Sequence, residues 1–579
     1  MTKSNLKLTF NLACLALGLG LGLALCRVPF QAPALWRHLA EARVLASQGG
    51  FPARDPFVFG APGGLAFDRS GWLYGLLALW LHQAAGLAGL AWARALLLLA
   101  AFGLCLGTGF RRGSRPFSTL AFSLAALAAC GPLLQGPRQA LELALFSLML
   151  LMMEGDFWPS LFGRWVWLPL LAVAWINTGP TALLLPPLLL LWLASEPGSA
   201  QDDEGRPALP GAAKAVFFLA LSAGLLLNPQ GWKAMLPAAP WPGLSLSPLA
   251  PGRFDAAQPA LCLMAFQLPL LLAAGWVGGP ARRRFARDLL LFGLLGLAGL
   301  VSSGLLPFFF VWAAPVAAGR LDQLVDSLPA WTTPARWAAK LGLLLAALWW
   351  LPRAWAGSGF GLDQWRAGFP RETLDFIRNQ GLADPLMAEA GWGGWISWRL
   401  EGQAPVLVDD RMAPPQAARD YRDIQRAAPD WDEVLKRDGA RAALLKVGSP
   451  LARAMAIAPD WQPVCFDDVS VLYVEAGPEH ASLINTYAPR GLRPGDPAEP
   501  FSQGRMLQCQ ADLEVRLSRY PAMGRMYLYQ SYLLQAEGRL DQAEQALRTG
   551  IDRDPLFEPC RQRLEQLKSL PPSPAPAGQ

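Results

Sequence analysis

Long apolar runs, broken by short polar pieces rich in arginine, fill residues 1–356, and beyond them the polarity is that of an ordinary water-soluble chain. Since a span needs about 20 apolar residues, the runs predict a mainly α, polytopic transmembrane bundle of about eleven spans. The first run, Leu6–Leu25, has Lys3 before it and Lys7 at its start, and lacks a small-x-small cleavage site. It reads as a transmembrane helix with its N-terminus inside rather than as a signal peptide. An outer loop over 28–70 follows, with the amphipathic stretch ALWRHLAEARVLASQ and the turn-rich run GGFPARDPFVFGAPGG. Then come GWLYGLLALWLHQAAG, LAGLAWARALLLLAAFGLCLGTGF and RRGSR. If both apolar pieces crossed, Arg111, Arg112 and Arg115 would lie outside, against the positive-inside rule. Residues 71–85 are therefore expected to lie half-inserted, with only the second piece crossing. Further spans are predicted near 117–134, 139–153, 165–178, 180–195, 213–228, 259–278, 288–302, 304–318 and 337–352. PGSAQDDEGRPALPG and ARRRFAR read as inner loops and 228–259 as an outer one, so an odd number of spans puts the rest of the chain outside.

Residues 357–476 predict a small α/β soluble domain. FPRETLDFIRNQG is amphipathic with a glycine stop, and PVLVDD, RAALLKV and VSVLYVEA are short β-rich runs. A Pro/Gly-rich linker, 477–504, leads to a helical segment over 505–570 and a tail, 571–579, expected to be disordered. In the helical segment Pro521 and Pro555 stand 34 residues apart, each closing an amphipathic helix. Between them YLLQAEGRLDQAEQAL places Gly538 at a tight turn and Ala543 where two helices meet. That is the tetratricopeptide period, read as one full repeat and one partial one; a generic helical hairpin is the alternative. So short an array docks on the rest of the chain or on a partner protein.

Composition narrows the functional classes. The chain is 53% hydrophobic and 16% charged, against about a quarter charged in soluble proteins. Its net charge of +6 comes mostly from arginines between apolar runs, so it reports topology and not nucleic-acid binding. Eight cysteines show no CxxC pair, and the three histidines, His38, His82 and His480, are far apart in sequence, which argues against a histidine-based metal site. High Ala, Leu, Gly and Pro, with Arg favoured over Lys, fits a GC-rich bacterium and hence its inner membrane.

Several motifs occur in a consistent order between residues 30 and 476. Trp36, His38 and Leu39 are followed by Pro52-Ala53-Arg54-Asp55-Pro56-Phe57, then Trp72-Leu73, WINTGP (175–180), LLNPQGW (226–232), GWGGWISWRL (391–400) and PVLVDDR (405–411). Together they resemble a group of bacterial polytopic membrane proteins with the glycosyltransferase fold called GT-C. Their outer loop looks like D-x-D-x-W-W-H-L, then P-x-x-D-P-F-S, then H-E-W-L. The resemblance implies transfer of a sugar from a polyprenyl-phosphate donor at the outer membrane face. A carboxylate would act there as general base or hold a divalent cation, and cationic side chains would hold the lipid phosphate.

The pattern is broken where that chemistry needs it. Its acids fall on Ala32 and Ala34, its second Trp on Arg37, its H-E on Ser70 and Gly71, its later His-Gly on Gly179-Pro180, and a late Arg on Ser302-Ser303-Gly304. Alanine can neither take a proton nor bind a metal. Two acids remain in the loop, Asp55 and Asp68. A rebuilt site would use Asp55 as the catalytic carboxylate, pointing into a cavity lined by Trp36, Arg37 and His38, with Asp68 also at the substrate. Bland alternatives stand beside it: Asp55 before Pro56 starts a turn, Asp68 pairs with Arg69, and Trp36-Arg37-His38 anchors at the interface. Glu142 beside Arg138 reads as an interfacial pair, and Trp392, Trp395 and Trp398 as core or membrane docking before sugar stacking. Two functions follow: a GT-C-like glycosyltransferase, needing no cofactor beyond a divalent cation, or an inactive scaffold on the same frame that binds envelope partners.

Overall fold

A computed structural model describes residues 16, 18–27, 30, 32–60, 64–134, 136–154, 161–195, 211–231, 260–269, 271–272, 282–327, 359–411, 415–495, 498 and 505–569. The expected span at 337–352, the loop over 196–210, most of the first span and of the 228–259 loop, and the tail lie outside these residues. The chain forms two compact units. One comprises 1–32, 41–50 and 68–362, and the other 33–40, 51–67 and 363–579. Helix α1, Pro33–Gln48, starts in the second and ends in the first.

The first unit is helical: α2 Trp72–Arg111, α3 Pro116–Cys130, α4 Pro137–Met153, α5 Leu161–Thr178, α6 Leu185–Ser195, α7 Gly211–Gly224, α8 Ala260–Pro269, α9 Arg282–Val301 and α10 Leu306–Ser327. Proline opens α3 and α4, where its missing N–H costs nothing. Trp72–Arg111 and Ser303–Val325 are long and apolar enough to cross a membrane. The former breaks at Gly86, whose φ of 62° and ψ of −160° leave the helical region. Residues 87–111 then rise about 37 Å, enough to span, whereas 72–85 rise only about 21 Å. That break is where the arginine argument divides the segment. Leu96, Leu190, Leu219, Phe266 and Leu297 are exposed on these helices, the surface a lipid-facing bundle presents. The core is continuous, with α2 packed along α4, α10 along α3, and the Phe146 ring in contact with those of Trp175 and Phe308.

The second unit contains α11 Leu362–Ala367, α12 Glu372–Gln380, β1 Leu386–Ala388, α13 Gly393–Leu400, α14 Pro415–Gln425, α15 Trp431–Arg437, β2 Ala442–Lys446, α16 Pro450–Ile457, β3 Trp461–Phe466, β4 Ser470–Glu475, α17 Ala481–Tyr487 and four later helices. The sheet order is β1-β2-β4-β3, with β1 and β2 parallel and the other pairs antiparallel. Val406 bridges Leu386 on one side and Val58 on the other, both parallel, and Phe59 N–H donates to the Val406 carbonyl at 3.0 Å. Residues 57–60 of the first loop thus extend the sheet past 405–407. Backbone pairing across more than 340 positions explains why 51–67 belongs with the C-terminal unit, a division that the boundary expected at 356 did not contain.

The later helices are α18 Met506–Arg519, α19 Gly524–Ala536, α20 Leu540–Arg553 and α21 Glu558–Ser569. The pairs α18/α20 and α19/α21 both start 34 residues apart. Burial repeats at that period in Cys509 and Ala543, Leu513 and Leu547, and Met526 and Cys560. Two complete helical hairpins are present, where the reading expected one and a part. Gly524 and Gly550 allow the close contacts, since a Cβ at either would meet Phe557 or Tyr527.

Candidate functional site

In the second unit the residues around Asp55 form a charge network. Asp55 Oδ1 accepts the Phe57 N–H at 2.7 Å, closing the turn before the added strand, and Oδ2 pairs with Arg411. Arg411 also holds Asp409 through Nε, at 2.8 Å to Oδ2 and 3.0 Å to Oδ1. Arg37 Nε reaches Asp410 Oδ1 at 3.1 Å. The Asp55 side chain is 0% exposed. Burial disfavours the Arg411 charge, but Asp409, its hydrogen bonds and Asp55 outweigh burial and the repulsion of Arg37, so its pKa rises above the normal range. The structure therefore aims the Asp55 carboxylate at a guanidinium, where a site facing a cavity had been expected.

Trp36 stacks on Trp365 at 5.5 Å and 3°, and meets Trp395 at 4.5 Å and Trp398 at 6.2 Å. The indoles of Trp392 and Trp395 donate to the carbonyls of Gly368 and Pro370. His38 is buried. Trp36, Arg37, His38 and Asp55 share this unit, while Asp68 belongs to the other, where its Oδ1 accepts the Ser70 N–H at 2.9 Å ahead of α2. Trp36 thus packs among three other tryptophans while Arg37 pairs with Asp410.

In the first unit a second polar cluster gathers around the first turns of α4. Glu142 Oε1 accepts from Arg138 Nε at 3.1 Å, and its Oε2 accepts from Thr181 Oγ1 at 2.7 Å. Thr181 Oγ1 in turn accepts the Trp175 indole N–H at 3.0 Å. Beside it, Asn177 Oδ1 accepts the Trp72 indole N–H at 2.6 Å and an Asn228 amide N–H at 3.2 Å. The Asn177 amide donates to the Leu227 carbonyl at 2.8 Å. The WINTGP and LLNPQGW motifs, with Trp72, thus meet at one place. The two motifs are about 50 residues apart along the chain, and their paired asparagines flanked by tryptophan were the available sequence signal.

Gly71, Gly179, Gly304 and Ala32 all lie beside α4 or the residue before it. A Cβ on Gly71 would lie 3.3 Å from the Arg138 guanidinium carbon. One on Gly179 would collide with the Glu142 carboxylate. Gln139 Nε2 donates to the Gly304 carbonyl at 3.0 Å, and a Cβ on Gly136 would stand 4.0 Å from that of Ala32. A side chain at Gly179 thus has no room beside Glu142, one at Gly71 would press on the tip of Arg138, and one at Gly304 would begin in ordinary contact with Gln139. Among the described residues no three His, Cys, Asp or Glu side chains gather as a metal site would require.

No family model matches the chain, and no curated protein matches it. Among solved structures it is similar to the archaeal oligosaccharyltransferase AglB from Archaeoglobus fulgidus, in complex with an inhibitory peptide and a dolichol-phosphate, at 14% identity and a TM-score of 0.43 over 79% of this chain and 73% of that one. It is similar to the arabinofuranosyltransferase AftD from Mycobacteria at 17% identity and a TM-score of 0.47, over 81% of this chain and 40% of that one. ArnT from Cupriavidus metallidurans, bound to undecaprenyl phosphate, matches at 15% identity and a TM-score of 0.35, over 83% of this chain and 99% of that one.

Proposed function

We propose that the protein is a non-catalytic membrane scaffold on a GT-C-like frame, which binds cell-envelope partners through its helical repeats. The observation that carries this reading is the seating of Arg138, Gln139 and Glu142 against the glycines left where ionisable side chains are missing. A carboxylate held by its own arginine and a threonine is satisfied without substrate. Asp55, shielded and paired with Arg411, supports the same conclusion.

A test reconstitutes the protein in liposomes with a polyprenyl-phosphate-linked sugar and a divalent cation. The expected result is no transfer and no hydrolysis of donor. In cells, Asp55→Asn should retain function while deletion of 505–569 abolishes it. Turnover that Glu142→Gln or Asp55→Asn eliminates would overturn the scaffold. One observation favours that transferase reading: Glu142 is a buried acid beside the hydroxyl of Thr181, able to serve as general base if Arg138 swings away.

A further inference from the structure

The opposite ends of the same helices carry a cluster that neither reading uses. Arg112, at the end of α2, pairs with Glu154 after α4 and with Asp288 of α9 at 3.5 Å. Arg287 lies 3.3 Å from Glu154 and 3.4 Å from Asp288. Arg320 of α10 reaches the other Asp288 oxygen at 3.2 Å. Three guanidiniums therefore share two carboxylates, and all five side chains are at most 16% exposed. Among the described residues the balance is positive, and an uncompensated buried charge is costly. Moreover, the buried Nε atoms of Arg112 and Arg287 have no hydrogen-bond partner among the described residues. Arg111 and Arg115 lie exposed at the rim, where Asp322 accepts from the Ser118 hydroxyl and the Arg115 N–H.

We propose that this juxtaposition of Arg112, Arg287 and Arg320 around Asp288 and Glu154 is a phosphate-binding site at the inner end of the bundle. Guanidinium forks match phosphate oxygens, and one added anion neutralises the excess charge. Four helices contribute to the site, so the bound anion ties α2, α4, α9 and α10 together. The phosphate is that of an anionic lipid headgroup or of a soluble phosphate, because the arginine-rich end of a bundle faces both.

The test measures thermal unfolding of the full chain in nanodiscs of phosphatidylcholine, of phosphatidylcholine doped with phosphatidylglycerol, and of phosphatidylcholine with inorganic phosphate in the buffer. Ligand linkage predicts a midpoint rise of about 2–4 °C. A rise with phosphatidylglycerol alone assigns the site to a headgroup, and a rise with inorganic phosphate assigns it to a soluble anion. Arg287→Gln, which keeps a hydrogen-bond donor but removes the charge, should abolish either rise, whereas Arg561→Gln on the helical repeats of the other unit should not. Equal midpoints in all three media, or a rise that survives Arg287→Gln, overturn the proposal. If Arg287→Gln fails to fold, native mass spectrometry of the wild type decides. Selective retention of phosphatidylglycerol or phosphate supports the site, and retention of neither overturns it.

Discussion

Gly179 is the residue on which the first unit's polar cluster turns. Its φ of 178° is extended backbone open to any residue, so the glycine is required by space and not by conformation. A methyl group there would displace the Glu142 carboxylate from Thr181. Gly179→Ala is expected to cost about 1–3 kcal/mol of stability through overpacking, read as a fall in unfolding midpoint in detergent. Adding Glu142→Ala should recover part of the loss, since residues in contact couple non-additively. If the two changes simply add, Glu142 does not fill that space. Asp55 teaches the reverse lesson. As an acid before proline it read first as a turn former and only second as a base, and the Arg411 guanidinium that pairs with it arrives from 356 positions away.

At the scale of elements, the joint between the sheet and the helical repeats rests on Asp468. Its carboxylate accepts the N–H groups of Arg525 at 2.6 Å and Gly524 at 3.2 Å, capping α19. Arg525 answers with bonds to the Asp467 and Asp468 carbonyls. Burial pushes the Asp468 carboxyl up to about 7, with Asp467 and Asp554 adding to the rise and the Arg525 N–H and guanidinium opposing it. An unfolded aspartate titrates near 3.9, so between about pH 4 and pH 7 the folded state holds the extra proton. Stability from this group is then full below that window and falls as pH rises through it. Asp468→Asn should flatten that slope in a series of unfolding midpoints. An unchanged slope would mean that the carboxylate stays charged at the cap. The added strand at 57–60 is the other element that no local signal announced. GGFPARDPFVFGAPGG carries turn chemistry, and its pairing with 405–407 depends on a partner far along the chain.

At the scale of the molecule, the arginine argument puts Gly113 inside and the C-terminal portion outside. Cysteines introduced at Gly113 and Gly495, with native cysteines replaced, should react with an impermeant thiol reagent only at 495 in sealed cells. Labelling of both or of neither would contradict this topology, and labelling at 113 alone would reverse it. Features of short range were legible from residue order alone. Apolar period and arginine position indicated the bundle and the division at Gly86, the glycine stop at 381 closes α12, and the 34-residue spacing marked the repeats. These signals are local, because helix propensity, turn geometry and hydrophobic transfer act within a few residues or one helical face. The candidate site was legible only as a set of gaps at Ala32, Gly71, Gly179 and Gly304. What fills them depends on which helix packs alongside, and a lone Arg138-Gln139-x-x-Glu142 reads like any interfacial turn. Only the tertiary structure brought that turn against the gaps, set Arg411 on Asp55 and gathered three arginines around Asp288. A buried charge must find its partner in space, and the distance along the chain does not enter its energy.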